Sequence, residues 1–482
     1  MNKQVRKLSV MVLLLVLSVT AAFSQVTTSG MSGRVISDSN EPLPGAAVVA
    51  IHTPSGTQYG TITNSEGRFT IQGMRSGGPY AVNISFVGYS TAKFSEINLI
   101  LGESFNLNAT MKESAVDVGE VMVVGTKPSA FGTDKTGAAT NIPNEVLTTM
   151  PSINRSLSDF FKMSPLSGGS NTFAGRDGRL NNINIDGANF NDNFGLSSNN
   201  LPGGNAQPIS LDAIEEVQVN IAPFDVRQAN FTGAGINAVT KSGTNTLRGS
   251  VYSYYRNQDF NGRYVGTEKL SAASKTSTTI LGGRLGGAII KNKLFFFVNG
   301  EYENSPYPGM EYLSARSGLT GSNVTRVPAA DLEEFSSLLK TKYGYETGPY
   351  ENYGKFASQN HKILARIDWN INEQHKFTIR YNTVKNTNDN LVNGNSAPNP
   401  RATSNRVSKD AMSFQNTNYG FLNTVNSLVA ELNSNFGGKF SNQFLATYTK
   451  IQDTRTSPSE IFPFIDIWDG NGNSYMSAGY EL

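Results

Sequence analysis

From Thr246 onward the side chains alternate between apolar and polar along short segments, a period of two that belongs to strands whose two faces meet different surroundings. The run 361–371 is the cleanest instance. Ile363, Ala365, Ile367, Trp369 and Ile371 fall on one face; Lys362, Leu364, Arg366, Asp368 and Asn370 fall on the other. After a short turn at 372–374, Phe377, Ile379 and Tyr381 alternate with Lys376, Thr378 and Arg380, which predicts an antiparallel hairpin with one apolar and one polar face. Noisier versions cover 247–255, 279–289, 294–302, 428–436 and 440–451, about seven strands in all. Tight turns at Lys291-Asn292 and Gly437-Gly438 contrast with the long polar stretches 303–359 and 386–418. Such asymmetry is expected of the periplasmic and extracellular ends of a transmembrane barrel. A large soluble β-sandwich produces alternation as well.

Beyond the N-terminus no segment is apolar for long enough to cross a bilayer as a helix, so any span must be made of strands closed into a barrel, the other arrangement that pairs every backbone group in lipid. The N-terminus itself reads as an export signal. Lys3, Arg6 and Lys7 precede the apolar run 8–19, and Ala22-Phe23-Ser24 supplies small residues at a cleavage site after Ser24. The competing reading, an uncleaved anchor helix, needs about 20 apolar residues, and the run is shorter.

Composition closes several routes to chemistry. The 40 basic and 38 acidic residues leave a net charge of +2, with no global pull toward nucleic acid. There is no cysteine, hence no disulfide, thiolate metal site or cysteine nucleophile. With only His52, His361 and His375, and no phosphate loop, zinc helix or nucleophile elbow, the chain carries no catalytic constellation and implies no cofactor or metal. Asp177, Asp186 and Asp192 do not follow the spacing of an oxygen-ligand calcium loop and are read as carboxylates of turns.

Residues 31–112 carry short strand candidates at 34–36, 47–51, 67–71 and 81–87, separated by Pro, Gly and Asn about every ten residues, as in a sandwich. Further on, 182–187 (Asn-Ile-Asn-Ile-Asp-Gly) alternates strictly and ends in a turn, and 154–162 reads as a short helix N-capped by Asn154. Between them, Glu120-Val121-Met122-Val123-Val124 is an acidic residue followed by a β-prone run. A segment of this kind can add to the edge of a partner's sheet, or serve as the first strand of the next domain.

Three of these segments resemble a known family. The stretch 213–257, with Val217-Gln218-Val219-Asn220-Ile221, Val239-Thr240-Lys241-Ser242-Gly243-Thr244-Asn245 and a tyrosine-rich strand, resembles the junction between plug and first barrel strand of a TonB-dependent outer-membrane receptor. Glu41-Pro42-Leu43-Pro44-Gly45-Ala46, followed by 63–69, resembles the non-catalytic carboxypeptidase regulatory-like domain that precedes many such plugs. The wording of the junction is more similar to the Oar-like branch than to the SusC-like glycan importers, whose plugs often carry Tyr-x-x-Asp-Gly where this chain reads Asn182-Ile183-Asn184-Ile185-Asp186-Gly187; a surface lipoprotein lid is therefore less strongly implied.

The resemblance implies a mainly β chain. It comprises a signal peptide at 1–24, a β-sandwich at 25–112, a TonB box and linker at 113–128, an α+β plug at 129–243 and the first strands of a transmembrane antiparallel β-barrel at 244–482. It places the protein in the outer membrane of a Gram-negative bacterium, in contact with lipid. TonB, driven by ExbB and ExbD, would pull on Glu120, Val121, Met122, Val123 and Val124, and an extracellular peptide, glycan or metal chelate would be imported. An adhesin of the same architecture that does not import is the alternative. In the plug, Arg176, Asp177, Arg179, Asp186, Asn189 and Arg227 are candidates for contact with ligand or barrel wall. A plugged transporter has roughly 22 strands, which at about ten residues each need some 220 residues before any loop. Only 238 residues follow Thr244, so the sequence is expected to be the N-terminal portion of a longer receptor or a truncated product.

Overall fold

The computed structural model describes residues 26–113, 121–124, 139–152, 155–169, 171–191, 207–223, 228–270, 274–394, 406–437 and 440–481. The export signal at 1–24, Glu120, Asp192 and Arg227 lie outside this set.

The N-terminal body is a two-sheet sandwich. Strands β1 (Ser29–Ser37), β4 (Arg68–Met74), β7 (Ser104–Asn106) and β8 (Ala109–Met111) form one sheet. The other has the order β3 (Thr57–Ile62), β2 (Ala47–His52), β5 (Gly77–Ser85), β6 (Ala92–Leu99), β9 (Val121–Val124). Alternate residues such as Val35, Val48, Ile71, Val82 and Ile84 are fully buried between the layers. Strand β3 has no apolar alternation because its inward residues are Thr57, Tyr59 and Thr61; two hydroxyls take the place of aliphatic groups and hide the period.

The second body has a sheet ordered β10 (Ala139–Pro143), β12 (Ile214–Asn220), β13 (Gly235–Thr240), β11 (Asn182–Ile185), flanked by helices α1 (Asn144–Thr149) and α2 (Leu157–Phe161). The cap of α2 is Ser156, whose hydroxyl accepts from the Ser158 N–H; the expected cap, Asn154, lies outside the described residues. With Leu157 as the first helical residue the capping position falls two residues later than the sequence suggests. Strand β11 ends in a two-residue turn at Asp186 and Gly187, both with positive φ (45° and 77°), before pairing with Ala188–Asn189.

Seven long strands follow in one antiparallel sheet, each beside its neighbour in sequence: β14 (Arg248–Asn257), β15 (Ser277–Ile290), β16 (Leu294–Asn304), β17 (Ser358–Asn370), β18 (His375–Asn390), β19 (Tyr419–Phe436) and β20 (Phe440–Thr456). These are the seven strands marked by alternation, most of them longer at one end. The sheet does not close, since β14 and β20 stand at its two edges.

Burial along this sheet runs opposite to that of a soluble protein. Ile363 is 56% exposed and Trp369 42%, whereas Lys362 and Asp368 are 4% exposed and Arg380 not at all. Val251, Tyr255, Leu285, Phe444 and Tyr448 continue the exposed apolar face. Water would penalise so large an apolar surface, and hydrocarbon accepts it, so this is the lipid-facing side of a barrel wall. No helix among the described residues is long and apolar enough to cross a membrane.

The concave side of the wall holds the second body, which is therefore a plug. Phe297, Leu364, Val384, Val425 and Val429 of the wall join Ile142, Phe173, Ile185, Val217 and Ile236 in one apolar cluster. The stretch 303–359 is not the structureless loop its polar composition suggests. It contains α3 (Ala329–Tyr343), whose Leu332, Phe335 and Leu339 pack on Met412, Phe414 and Met476, the last from β22 (Ser474–Ala478), which pairs with β21 (Ile465–Trp468). This outer body lies beyond the long-loop ends of the strands. The sandwich docks at the opposite, short-turn end, where Asn245 N–H donates to Pro54 O (2.9 Å) and Asn370 Nδ2 to Thr57 Oγ1 (2.9 Å).

Candidate functional site

A plug seated against a barrel wall is kept there by contacts between the two, and the expected TonB box must stand where a partner's sheet edge can reach it. The wall's contribution to those contacts begins with register. In the β17–β18 hairpin Arg366 lies directly opposite Arg380, both pointing inward. Two like charges in that relation repel, and with both buried they require a carboxylate from elsewhere.

Asp186, at the tip of plug strand β11, supplies it. Its carboxylate is 3.6 Å from Arg366 Nη1 and 3.5 Å from Arg380 Nε, and it accepts from the Thr240 N–H (2.8 Å) and Oγ1–H (2.6 Å). Arg366 also pairs with Asp368 (2.8 Å) and donates to Thr240 O (3.0 Å). Arg380 is held chiefly by charge, with its Nη2 donating to Ser427 Oγ at 3.3 Å. The turn that presents Asp186 fits tightly, since a Cβ on Gly187 would come within 2.7 Å of Leu445 Cδ2 of the wall. A second plug–wall contact joins Ser210 Oγ to Glu301 Oε2 (2.8 Å), a carboxylate also bound by Lys362 Nζ (2.7 Å) and Tyr252 Oη (2.8 Å).

The other residues singled out from sequence are dispersed. Arg176 is exposed in a turn; Arg179 pairs with Asp177 on an exposed turn (3.1 Å). Asn189 Nδ2 donates to Asn182 Oδ1 (3.0 Å) inside the plug. Of the described candidates, Asp186 is the one that meets wall cations. Arg366 and Arg380 were missed as site residues, although the turn at 372–374 sets a register that opposes them on the polar face of the cleanest hairpin, where they call for a counter-charge.

The plug holds the sandwich by both main-chain groups of one residue, Leu101. Glu216 Oε2 accepts the Leu101 N–H (3.0 Å) and Gln218 Nε2 donates to the Leu101 carbonyl (2.5 Å), the two side chains projecting from the same face of β12. Asn141 Nδ2 donates to Glu103 Oε1 (2.7 Å) beside them, and Arg75 reaches Asp368 of the wall (3.5 Å). Burial pushes the Glu216 carboxyl up to about 8, although the Leu101 N–H opposes the shift. Because the folded protein holds this proton more tightly than an unfolded chain with its ordinary value of 4.5, stability falls as pH rises from about 4.5 to about 8 and levels off above. Glu216→Gln, which keeps an oxygen acceptor for Leu101, is expected to flatten this part of the pH dependence and to raise the melting temperature at pH 8 relative to wild type. Melting curves of the two proteins between pH 5 and pH 9 check it.

Strand β9 carries four of the five residues expected to form the TonB box; Glu120 lies outside the described residues. Val121–Val124 lies parallel to β6 at the edge of the sandwich, with Ala92, Lys93, Phe94 and Ser95 opposite its four residues.

Comparison with known proteins gives the following. The family model for the carboxypeptidase regulatory-like domain matches residues 30–112, and the model for an outer membrane beta barrel domain matches residues 239–481, half of the chain. The TonB-dependent transporter Oar of Myxococcus xanthus is 26% identical over 317 residues, covering 62% of this chain and 28% of that protein. Similar solved structures include the outer membrane transporter YddB from Escherichia coli, with a TM-score of 0.49 and 12% identity over 71% of this chain and 43% of that one. The siderophore receptor PirA from Acinetobacter baumannii has a TM-score of 0.43 and 16% identity over 70% and 42%. The chain thus spans under a third of the curated relative it matches.

Proposed function

We propose that this chain, which belongs to the outer-membrane β-barrel family of TonB-dependent receptors and carries a carboxypeptidase regulatory-like domain ahead of its plug, imports an extracellular ligand into the periplasm with energy transmitted by TonB. The observation that carries the reading is the pairing of Val121–Val124 with β6. An extended segment between sandwich and plug, held by backbone bonds at a sheet edge, is chemically equipped to exchange one sheet edge for another.

In this mechanism the outer body and the plug's outward turns capture a peptide, glycan or metal chelate. TonB, coupled to the proton gradient through ExbB and ExbD, adds Glu120 to Val124 to its own sheet and pulls. Tension reaches the plug through β10, which is hydrogen-bonded along β12, and β12 carries the Leu101 grip. Opening a path requires the plug to leave the Asp186 contact with Arg366 and Arg380. Strength against spontaneous release and susceptibility to a directed pull are compatible, because a pull along a strand end loads its bonds in sequence.

A surface adhesin of the same architecture would hold its ligand without importing it. Ligand recovered by pull-down on the receptor, labelled and returned to intact cells, is expected to accumulate inside, and a protonophore is expected to collapse that accumulation while leaving surface binding unchanged. Binding with no protonophore-sensitive component would favour the adhesin.

A further inference from the structure

Where sandwich, plug and wall meet at the short-turn end, they enclose a cavity of about 310 Å³, enough for about ten waters at bulk density. Its charged lining is Arg75 from the sandwich, Glu215 and Lys241 from the plug and its exit, and Arg248, Arg284 and Arg366 from the wall. Arg75 and Arg366 are already engaged by Asp368. Lys241, Arg248 and Arg284 form no ion pair among the described residues, and neither does Glu215. Three cations therefore face one carboxylate.

Lys241 is the residue that makes this more than a basic surface. It is only 8% exposed, it lines the cavity, and its Nζ has no hydrogen-bond partner. A buried ammonium without a partner is costly, and native proteins supply the missing counter-charge. Arg284 stands beside it with its guanidinium fixed by Ser250 Oγ (2.9 Å) and Asp212 O (3.1 Å). Burial and the neighbouring Arg284 lower the Lys241 pKa to about 8, opposed by Glu215 and by Asp212, whose carboxylate is already paired with Arg155. Lys241 belongs to the Val239–Asn245 junction segment, and the plug–wall contacts described above make no use of its side chain.

We propose that this cavity is a binding site for a phosphate-class oxyanion, held between Lys241, Arg284 and Arg248 and tying the plug's exit segment to the wall. Guanidinium forks and an ammonium converging from different directions suit a tetrahedral, multiply charged oxyanion better than a single carboxylate. Two sources share this chemistry. Inorganic phosphate reaches the cavity from the periplasm. The head group of an inner-leaflet phospholipid is the other.

The test uses the full chain in a phosphate-free maltoside detergent. Inorganic phosphate is titrated by calorimetry at constant ionic strength against a chloride control. In parallel, native mass spectrometry counts phosphatidic acid retained after extraction from vesicles of phosphatidylcholine with and without phosphatidic acid. Saturable phosphate binding that falls at least tenfold in Lys241→Met, and is kept within a few-fold in Lys241→Arg, supports the site with free phosphate as occupant. Retained phosphatidic acid that is lost in Lys241→Met, without free-phosphate binding, supports it with lipid as occupant. Arg248→Gln, at the exposed rim where folding is not at stake, is expected to weaken whichever occupant binds by at least threefold. Binding of neither probe, or binding unchanged in both Lys241→Met and Arg248→Gln, overturns the proposal.

Discussion

Replacing Asp186 with Ala is expected to loosen the plug by about 3–5 kcal/mol, the range seen when one member of a buried ion pair is removed and its partner is stranded. Two partners are stranded here, because Arg366 and Arg380 lie opposite each other in the hairpin and share this one plug carboxylate. Arg366 keeps Asp368, so Arg380 bears most of the loss; its Nε and Nη1 have no hydrogen-bond partner to fall back on. Thr240 loses its acceptor as well. The measurement is the urea midpoint for protease cleavage within the plug, in detergent micelles. Adding Arg380→Met to Asp186→Ala is expected to restore part of the lost stability, because it removes the unpaired charge, and the double-mutant cycle then measures the coupling directly. Equal sensitivity of wild type and Asp186→Ala would mean that apolar packing and the other polar contacts, such as Ser210 with Glu301, seat the plug without it.

The second large effect is expected from Val123→Pro. Proline removes one backbone N–H and its ring disfavours pairing in a ladder, so a strand that works by backbone addition loses its function at that step. Energised accumulation of the captured ligand is expected to fall at least tenfold, to the level of cells lacking TonB, while ligand binding at the cell surface stays within twofold of wild type. The separation is the informative part. A merely structural role for β9 in the sandwich would instead lower the amount of receptor or its melting temperature and leave uptake per receptor unchanged.

Much of this architecture is written in local pattern. Alternation marked all seven wall strands, because each wall residue faces either lipid or plug and the two environments select opposite chemistry. The same pattern put Arg366 and Arg380 on polar faces, and their direct opposition emerges with the register of the hairpin. What stayed hidden depends on partners distant in sequence. The Leu101 grip by Glu216 and Gln218 uses a main-chain group, and a main-chain group leaves no trace in residue type. Pairing of β9 with β6 joins segments about thirty residues apart through backbone bonds that any β-prone run could make. Strand β3 was concealed by inward threonines, and polar composition masked α3 even though Leu332, Phe335 and Leu339 carry the i, i+3, i+7 spacing of an apolar helix face. Of the candidate plug residues, Asp186 lies at the end of a strictly alternating strand, which fixes where it points; Arg176, Asp177 and Arg179 lie in turns, which do not.

The central claim is that the segment ending in Val121–Val124 leaves the sandwich edge and joins TonB. The chain has no cysteine, so Val123→Cys introduces a single reporter without background. In outer membranes of cells whose TonB carries one cysteine in the strand at its sheet edge, a disulfide-linked receptor–TonB species is expected. It should grow several-fold when ligand is added, and should be absent when the cysteine is placed instead at exposed Ile62 of the sandwich. No cross-link from position 123, or equal cross-linking from positions 62 and 123, would contradict the account.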